Sequence, residues 1–385
     1  MGRFRAALSE PGLGAIAEVK RRSPSAGDLR PDADPRVLAH AFERAGAAAC
    51  SILVDERFGG GIADLAAARS ASALPLLAKG FFSEEAQLAE MRRAGADAVL
   101  LLLRDLNDAQ VRELMECAGK LGMDTLVEAH DREELERAER LGADVIGINA
   151  RDLSTFAIDR RSQLELVARA PRDRVIVAES GIASRAQAAA AELAGADAVL
   201  VGSALMRAAD PAARLRDLVA RPLVKVCGLT REEDVAIAVD AGADLLGFIL
   251  ARESPRRAAT VLETPDEVLS VAVFVEDMHE SGADLVQLYA RENGHRSRDA
   301  VLLRGDERVA TVVDLPWQAG DPTHLERARA AEGRVMLAGG LAADNVRSAI
   351  EAVRPWAVDA SSRLESAPGI KDHDAVRAYV EAARA

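Results

Sequence analysis

Acids, bases and amides recur in this 385-residue sequence at one kind of place, the polar end of an apolar run. Glu18 and Lys20 close the run at 14–19, Lys79 the run at 75–78 and Glu128 the run at 124–127. Asn149 and Arg151 follow 145–148, and Glu179 and Ser180 follow 174–178. Residues two apart on a strand point the same way, so Glu18 and Lys20 share a face. A single charge of this kind is ordinarily solvated. Two lysines, three carboxylates, an amide and an arginine on the ends of Leu/Val/Ile/Ala strands form a set whose members shift one another's proton affinity. General acid–base chemistry needs that. Two further ends, Ser180-Gly181 and Gly202-Ser203, offer close backbone approach and hydroxyl donors to an anion.

The second half repeats the design with other groups. Cys227 ends the run at 223–226 and is followed by Gly. A free cysteine is most often a small buried hydrophobe, but a thiolate at a strand end can act as a base. Asp314 after 309–313 is the matching acid. Arg256, in a loop, has the fork geometry to hold a carboxylate. Gly340 and the pair Ser361-Ser362 restate the anion-binding ends.

The elements that must position these groups are marked by a repeated tripeptide. Gly-Ala-Asp occurs at 95–97, 142–144, 195–197, 242–244 and 282–284. Each is read as following a helix, with Gly as its left-handed terminator, and as preceding a strand. Strands are predicted near 14–21, 47–55, 75–82, 98–104, 124–130, 145–152, 174–181 and 198–206. Their continuous apolar character suits parallel strands buried on both faces. Eight βα units close into a (β/α)8 barrel, whose functional groups sit at the C-terminal strand ends and whose phosphate loops follow strands 7 and 8. An open doubly wound sheet is the alternative, but no Gly-x-Gly-x-x-Gly follows the first strand.

A second series starts at Leu223, after a junction at 218–222. Strands are expected near 245–251, 270–276, 285–290, 300–304, 309–315, 335–341 and 357–363. The fold expected is two tandem (β/α)8 TIM barrels, 1–219 and 220–385, joined rigidly by a link without a Gly/Ser-rich stretch. The second barrel reads as trimmed. Only residues 305–308 separate two of its strands, too few for a parallel crossover. Either one of the two is not a barrel strand or the fifth helix is missing. The segment 291–298 is too short and polar for a covering helix.

Composition sets the outer limits. Apolar residues make up 49% and aromatic residues only 3%, so aliphatic side chains must fill the cores. A net charge of −13 argues against nucleic acid as a partner. Cys50, Cys117 and Cys227 form no close-spaced pair, so neither a metal cluster nor a disulfide framework is expected. No run is long enough for a membrane span. The expectation is a cytoplasmic monomer without metal or redox cofactor, acting on small phosphorylated molecules.

The first half resembles indole-3-glycerol phosphate synthase. The resemblance lies in Glu18-Val-Lys-Arg-Arg-Ser-Pro-Ser, Leu77-Ala-Lys79-Gly-Phe, Leu126-Val-Glu128-Ala-His, Ile148-Asn149-Ala-Arg151-Asp-Leu, Val177-Ala-Glu179-Ser-Gly-Ile and Val201-Gly-Ser203-Ala-Leu-Met. It implies closure of the indole ring of tryptophan biosynthesis from carboxyphenylamino-deoxyribulose phosphate, with loss of carbon dioxide and water. By position, Lys79 would be the general acid and Glu128 its acid/base partner. Lys20 would hold the substrate carboxylate or donate a proton. Glu18, Asn149 and Glu179 would orient hydroxyls and lysines. Ser23, Ser180, Gly181, Gly202 and Ser203 would cradle the phosphate, with Arg151 nearby. Phe58 and Phe81 would pack on the anthranilate ring. Two departures stand out: Gly80 replaces an aspartate beside the lysine, and only about a dozen residues precede the first strand.

The second half resembles phosphoribosylanthranilate isomerase through Lys225-Val-Cys227-Gly-Leu-Thr, Ser254-Pro-Arg256, Val286-Gln-Leu, Leu337-Ala-Gly-Gly-Leu and Val358-Asp359-Ala-Ser-Ser. That implies an Amadori rearrangement with Cys227 as base and Asp314 as acid. Arg256 would lie on the anthranilate carboxylate and Gly340, Ser361 and Ser362 on the phosphate. Here Tyr289-Ala290 stands for His-Gly, residues 315–320 replace a Gly-rich loop, and Arg363 replaces a small residue. The isomerase product is the synthase substrate, so the expected protein is a bifunctional enzyme. The competing readings are a synthase with an inactive second barrel and a non-catalytic two-barrel scaffold.

Overall fold

The computed structural model describes residues 1–23, 27–152, 155–315 and 320–385. The chain divides into two compact units, Met1–Ala183 with Ala188–Val219, and Ser184–Gln187 with Ala220–Ala385.

In the first unit eight parallel strands close into a barrel. They are β1 (Gly14–Val19), β2 (Ala49–Leu53), β3 (Leu76–Lys79), β4 (Ala98–Leu102), β5 (Asp124–Ala129), β6 (Val145–Asn149), β7 (Val175–Glu179) and β8 (Ala198–Val201). Alternation along each strand sorts the side chains. Ile16, Leu77, Leu100, Leu126, Val177 and Leu200 share one core with Phe4 and Leu8, both fully buried on the helix Arg3–Leu8. Their neighbours Ala17, Ile52, Ala78, Val99, Val127 and Ile146 belong to the core shared with the outer helices. Each buried Leu, Val or Ile contributes about 1.5–3 kcal/mol. Register levels the strand ends, with Leu53 beside Lys79, Leu102 beside Glu128 and Asn149 beside Glu179.

The repeated tripeptide works through both ends. Gly95, Gly142, Gly195 and Gly242 have φ of 106°, 79°, 111° and 93° where helices stop, a backbone region that suits glycine. The aspartate then takes a backbone N–H at the start of the strand before its own. Asp97 accepts from Leu76 at 3.0 Å, Asp197 from Ile176 at 2.8 Å and Asp244 from Val224 at 2.8 Å. Each satisfies a strand-end donor that lies outside the ladder.

The second unit also closes with eight strands: β9 (Leu223–Cys227), β10 (Leu245–Ile249), β11 (Leu269–Val275), β12 (Leu285–Glu292), β13 (His295–Arg304), β14 (Glu307–Val313), β15 (Val335–Leu337) and β16 (Ala357–Ala360). This resolves the expectation of a defective crossover. Both doubtful segments are barrel strands, and β13 runs antiparallel to β12 and to β14. The chain makes two successive hairpins in place of βα units. Asn293 and Gly294 have φ of 52° and 83°, the consecutive positive values of a type I′ turn, whose twist matches that of its strands. Gly305, φ 58°, turns the second hairpin.

Among the described residues, the α-helices of this unit follow only β9, β14, β15 and β16: Glu232–Ala241, His324–Ala330, Val346–Val353 and His373–Arg384. Residues 276–284 alone carry β11 to its parallel neighbour β12. The fifth Gly-Ala-Asp therefore follows a loop, contrary to its sequence reading. Its aspartate still locks a strand, since Asp284 accepts from Ser270 N–H at 2.8 Å. Residues 316–319, within the expected departure after Asp314, lie outside the described residues. No helix among the described residues is long and apolar enough to cross a membrane.

Candidate active site

The predicted acid–base residues of the first barrel meet at its mouth. Lys79 Nζ lies 2.6 Å from Glu179 Oε2, 3.6 Å from Glu18 Oε2 and 3.9 Å from Glu128 Oε2. Lys20 Nζ is 2.7 Å from Glu18 Oε1, as their spacing on one face requires. Asn149 Nδ2 donates to Glu128 Oε1 at 3.1 Å, and its Oδ1 accepts from Arg151 N–H at 3.0 Å. Gln163, buried on the helix Arg160–Arg169, ties the ends of β6 and β7 through the carbonyls of Ile148 and Glu179.

Burial and charge push these groups in different directions. Burial alone would lower the Lys79 ammonium, but Glu179, Glu18 and Glu128 override it and hold it above the usual lysine range. Glu179, fully buried, is raised by desolvation to about 8; Lys79 opposes this and the Glu128 charge adds to it. Glu128 is also desolvated, yet His130, Lys79 and Asn149 bring it down to about 2. In Glu18, burial is outweighed by Lys20 and Lys79, and the net shift is downward. Two neighbouring carboxylates with proton affinities driven apart, beside a cation that keeps its proton, make an acid–base machine.

Two glycines create the room for it. A Cβ on Gly147 would sit 2.1 Å from Glu179 Oε1, and one on Gly202 would sit 2.3 Å from Glu18 Oε1. Gly202, expected only at a phosphate, is thus also the seat of Glu18. Gly147→Ala should lower turnover at this site by up to about 100-fold, the cost of misplacing a reacting group by about 1 Å. Steady-state rates with an unchanged fold, read by circular dichroism, check this.

The two strand ends predicted to bind an anion lie on adjacent strands. Ser180 and Gly181 have φ of 67° and 71°. A positive φ at a serine is strain held by its surroundings, as at many ligand loops. Ser203 opens the short helix Ser203–Arg207. Ser23 is half-buried in the ribbon Arg22–Ser23. Phe58 is half-buried, and Phe81 is 37% exposed with the Arg57 guanidinium 4.0 Å above its ring. Neither ring belongs to the charged network. At Gly80 a Cβ would lie 2.9 Å from Val54 Cγ2, so the space an aspartate side chain would enter is taken.

The second barrel opens into a cavity of about 600 Å³ lined by Cys227, Arg256, Tyr289, Arg296, Asp314 and the loops of Gly340, Ser361 and Ser362, among others. Cys227 is buried, and burial pushes its thiol up against the pull of Lys225. Lys225, fully buried, bridges Asp359 Oδ2 at 2.8 Å and Gln287 Oε1 at 2.7 Å. Asp314 Oδ2 accepts from the Tyr289 hydroxyl at 2.8 Å and lies 3.0 Å from Arg296 Nη2. Arg256 Nε lies 2.7 Å from Glu365, which also takes Lys371 Nζ at 2.9 Å. Gly340, φ 67°, turns its carbonyl to Arg363 at 3.2 Å. The Ser361 hydroxyl is buried without a hydrogen-bond partner.

Sequence reasoning passed over several of these groups: Arg296, Glu365 and Lys371 in the second barrel, and His130 in the first. Arg296 was reachable only through the Asn293-Gly294 turn, which sets the register that brings it to Tyr289 and Asp314.

Residues 3–218 match the family model of indole-3-glycerol phosphate synthase, and residues 318–382 match that of N-(5'phosphoribosyl)anthranilate isomerase. Indole-3-glycerol phosphate synthase 2 of Streptomyces coelicolor is 48% identical over 217 residues, 56% of this chain and 84% of that protein. The indole-3-glycerol phosphate synthase of Mycobacterium avium is 46% identical over 215 residues, 56% of this chain and 79% of that protein. Among solved structures, the phosphoribosyl anthranilate isomerase of Thermus thermophilus is 28% identical, with a TM-score of 0.35 over 42% of this chain and 97% of that one. That of Thermotoga maritima is 26% identical, with a TM-score of 0.34 over 43% and 99%.

Proposed function

We propose residue roles from one premise: the chain belongs to the indole-3-glycerol phosphate synthase family, with a phosphoribosylanthranilate isomerase sequence in tandem. The pair makes this a tryptophan-biosynthetic enzyme with a decarboxylating lyase and an isomerase activity. Our reading assigns ring closure to residues 1–219 and isomerisation to 220–385.

In the first barrel, Lys79 protonates the leaving hydroxyl, and Glu128 moves protons opposite it. The observation that carries this is one ammonium within 2.6–3.9 Å of three buried carboxylates, which keeps a proton available in a partly dry mouth. Lys20 holds the substrate carboxylate. Glu18, Asn149 and Glu179 fix the lysines and substrate hydroxyls. Ser23, Ser180, Gly181, Gly202 and Ser203 receive the phosphate with Arg151 at the rim, and Phe58 and Phe81 flank the anthranilate ring. In the second barrel, Cys227 removes the proton from C2 and Asp314 protonates the ring oxygen. Arg256 takes the carboxylate, and Gly340, Ser361 and Ser362 take the phosphate. The protein works as a monomer in the cytoplasm; its three unpaired cysteines support a reducing compartment.

The test supplies each substrate separately to the full chain. Carboxyphenylamino-deoxyribulose phosphate should give indole-3-glycerol phosphate and carbon dioxide, and phosphoribosylanthranilate should be isomerised. Without product from the first, the assignment of the Lys79 cluster fails; without turnover of the second, the Cys227 and Asp314 roles fail.

A further inference from the structure

We infer that His130 and Glu134 form a positioning dyad for Glu128, an addition to the ring-closing site that rests on the reading above. His130 follows β5, and Glu134 stands in the first turn of the helix Arg132–Leu141. One oxygen of Glu134, Oε2, accepts from the His130 backbone N–H at 2.8 Å and lies 3.0 Å from its ring Nδ1. The other ring nitrogen, Nε2, is 3.2 Å from Glu128 Oε1, an ion-pair contact rather than an aligned hydrogen bond. Asn149 holds the same Oε1 at 3.1 Å. One oxygen of Glu128 is therefore held by Asn149 and faced by the imidazole, and the other, Oε2, faces Lys79 at 3.9 Å.

Helix capping does not account for this arrangement. Asp131 already caps the helix, accepting from Glu134 N–H at 2.9 Å. Glu134 reaching back to a backbone N–H is a variant of the capping box. That motif requires no imidazole and gives no reason to aim Nε2 at Glu128. An imidazole gripped by a carboxylate at Nδ1 has its ring orientation fixed, and the far nitrogen presents a proton to what lies beyond.

The groups facing His130 are Glu134 from the helix and Glu128 from its own strand. Asn149 faces Glu128 from the adjacent strand β6, and Lys79 and Glu179 reach it across the barrel mouth from β3 and β7. Burial would push the imidazole down, but the two carboxylates override it and push it up to about 10. The sign follows: a raised imidazole keeps its charge below that value and loses it only as pH rises through it. The imidazole of the dyad thus stays cationic beside Glu128 through neutral pH. Glu134 is drawn down, burial being outweighed by His130, so its own charge persists as well.

The test uses the full chain and two readouts. The ring 15N signals of His130, identified by their loss in His130→Gln, should show both nitrogens protonated past about pH 8. A ring that titrates near the ordinary histidine value of about 6.5 overturns the dyad. This measurement needs no turnover, so it separates failure of the dyad from failure of the ring-closing assignment.

Glu134→Gln keeps the shape and removes the charge. It should bring the imidazole's titration down into the range of about pH 6–9. A new limb should appear in the synthase kcat profile, the rate falling with rising pH by up to about 100-fold at little change in KM. The parent, whose imidazole keeps its proton past that span, should lack this limb, while any limb set by Glu179, raised to about 8, is shared by parent and variant. If Glu134→Gln and His130→Gln both retain the parental rate and the parental pH profile, the pair is only a helix cap.

Discussion

Lys79→Ala should lower indole-3-glycerol phosphate formation by about 10²–10⁴-fold, the range of a lost general acid, while isomerisation of phosphoribosylanthranilate is unchanged. The size follows from the geometry. Among the described residues Lys79 is the one cation placed against Glu179, Glu18 and Glu128 together, at 2.6, 3.6 and 3.9 Å. Its removal takes away the proposed proton donor and leaves buried carboxylates with less compensating charge. Glu179, already raised to about 8 by burial, loses the neighbour that opposes that rise and is driven further up. A residual reaction in the variant should therefore be insensitive to the ionisation of Glu179 in the neutral range. Steady-state assays of both reactions on one preparation decide the matter, because the isomerase rate reports that the protein is folded. A variant that keeps near-parental ring closure removes Lys79 from the mechanism. Lys79→Arg is the finer probe: it keeps the charge but not the readily transferred proton, and it should lose rate with little change in stability.

The first barrel was legible because its signals are periodic. The apolar runs, the Gly-Ala-Asp terminators and the polar strand ends all imply the same βα unit, and levelled register brings Glu18, Lys79, Glu128, Asn149 and Glu179 together. What the pattern concealed was room. Nothing in the sequence around Gly147 or Gly202 shows that each makes space for a glutamate on another strand, because that is a contact between residues far apart in the chain. His130 was hidden for a related reason. As the second residue after Glu128 it reads as a loop polar group, and its role depends on a helix turning Glu134 back towards it.

The second barrel misled for the opposite reason. The sequence does contain its correction, since Asn293-Gly294 between apolar runs is a strong short-range hairpin signal. The expectation of parallel strands with helical crossovers turned that segment into a defective helix. Once Asn293 and Gly294 are read as a type I′ turn, the short link at 305–308 becomes a second hairpin and the missing crossover disappears. Closure then requires only that β13 run antiparallel, and hydrogen bonding is continuous around the barrel. Tyr289 and Arg296 reach the mouth by this route, from strands joined by the turn.

Cys227→Ser and Asp314→Asn should each remove isomerase turnover, by about 10²-fold or more, and leave ring closure intact. Both groups lie on strand ends of the second barrel around one cavity of about 600 Å³. Cys227 has its thiol raised by burial, with Lys225 pulling the other way; serine in its place is a far weaker base at any accessible pH. Asp314→Asn removes the proton a ring-opening step requires while keeping the side-chain volume. The parent itself should be a slow isomerase, and the structure gives the reason. Asp314 is engaged by Tyr289 and Arg296, and Arg256 by Glu365. Substrate must displace part of that network before its own carboxylate and ring oxygen are met. Binding energy is then drawn from the substrate, so the deficit should lie mainly in kcat/KM. Arg296→Met separates this account from simple damage to the barrel. If engagement of Asp314 limits the reaction, the variant gains kcat/KM; if Arg296 braces the hairpin, it loses thermal stability and rate together. A silent Cys227→Ser in an active parent would move the base to another residue, and Lys225, buried against Asp359 and Gln287, would be the next to test.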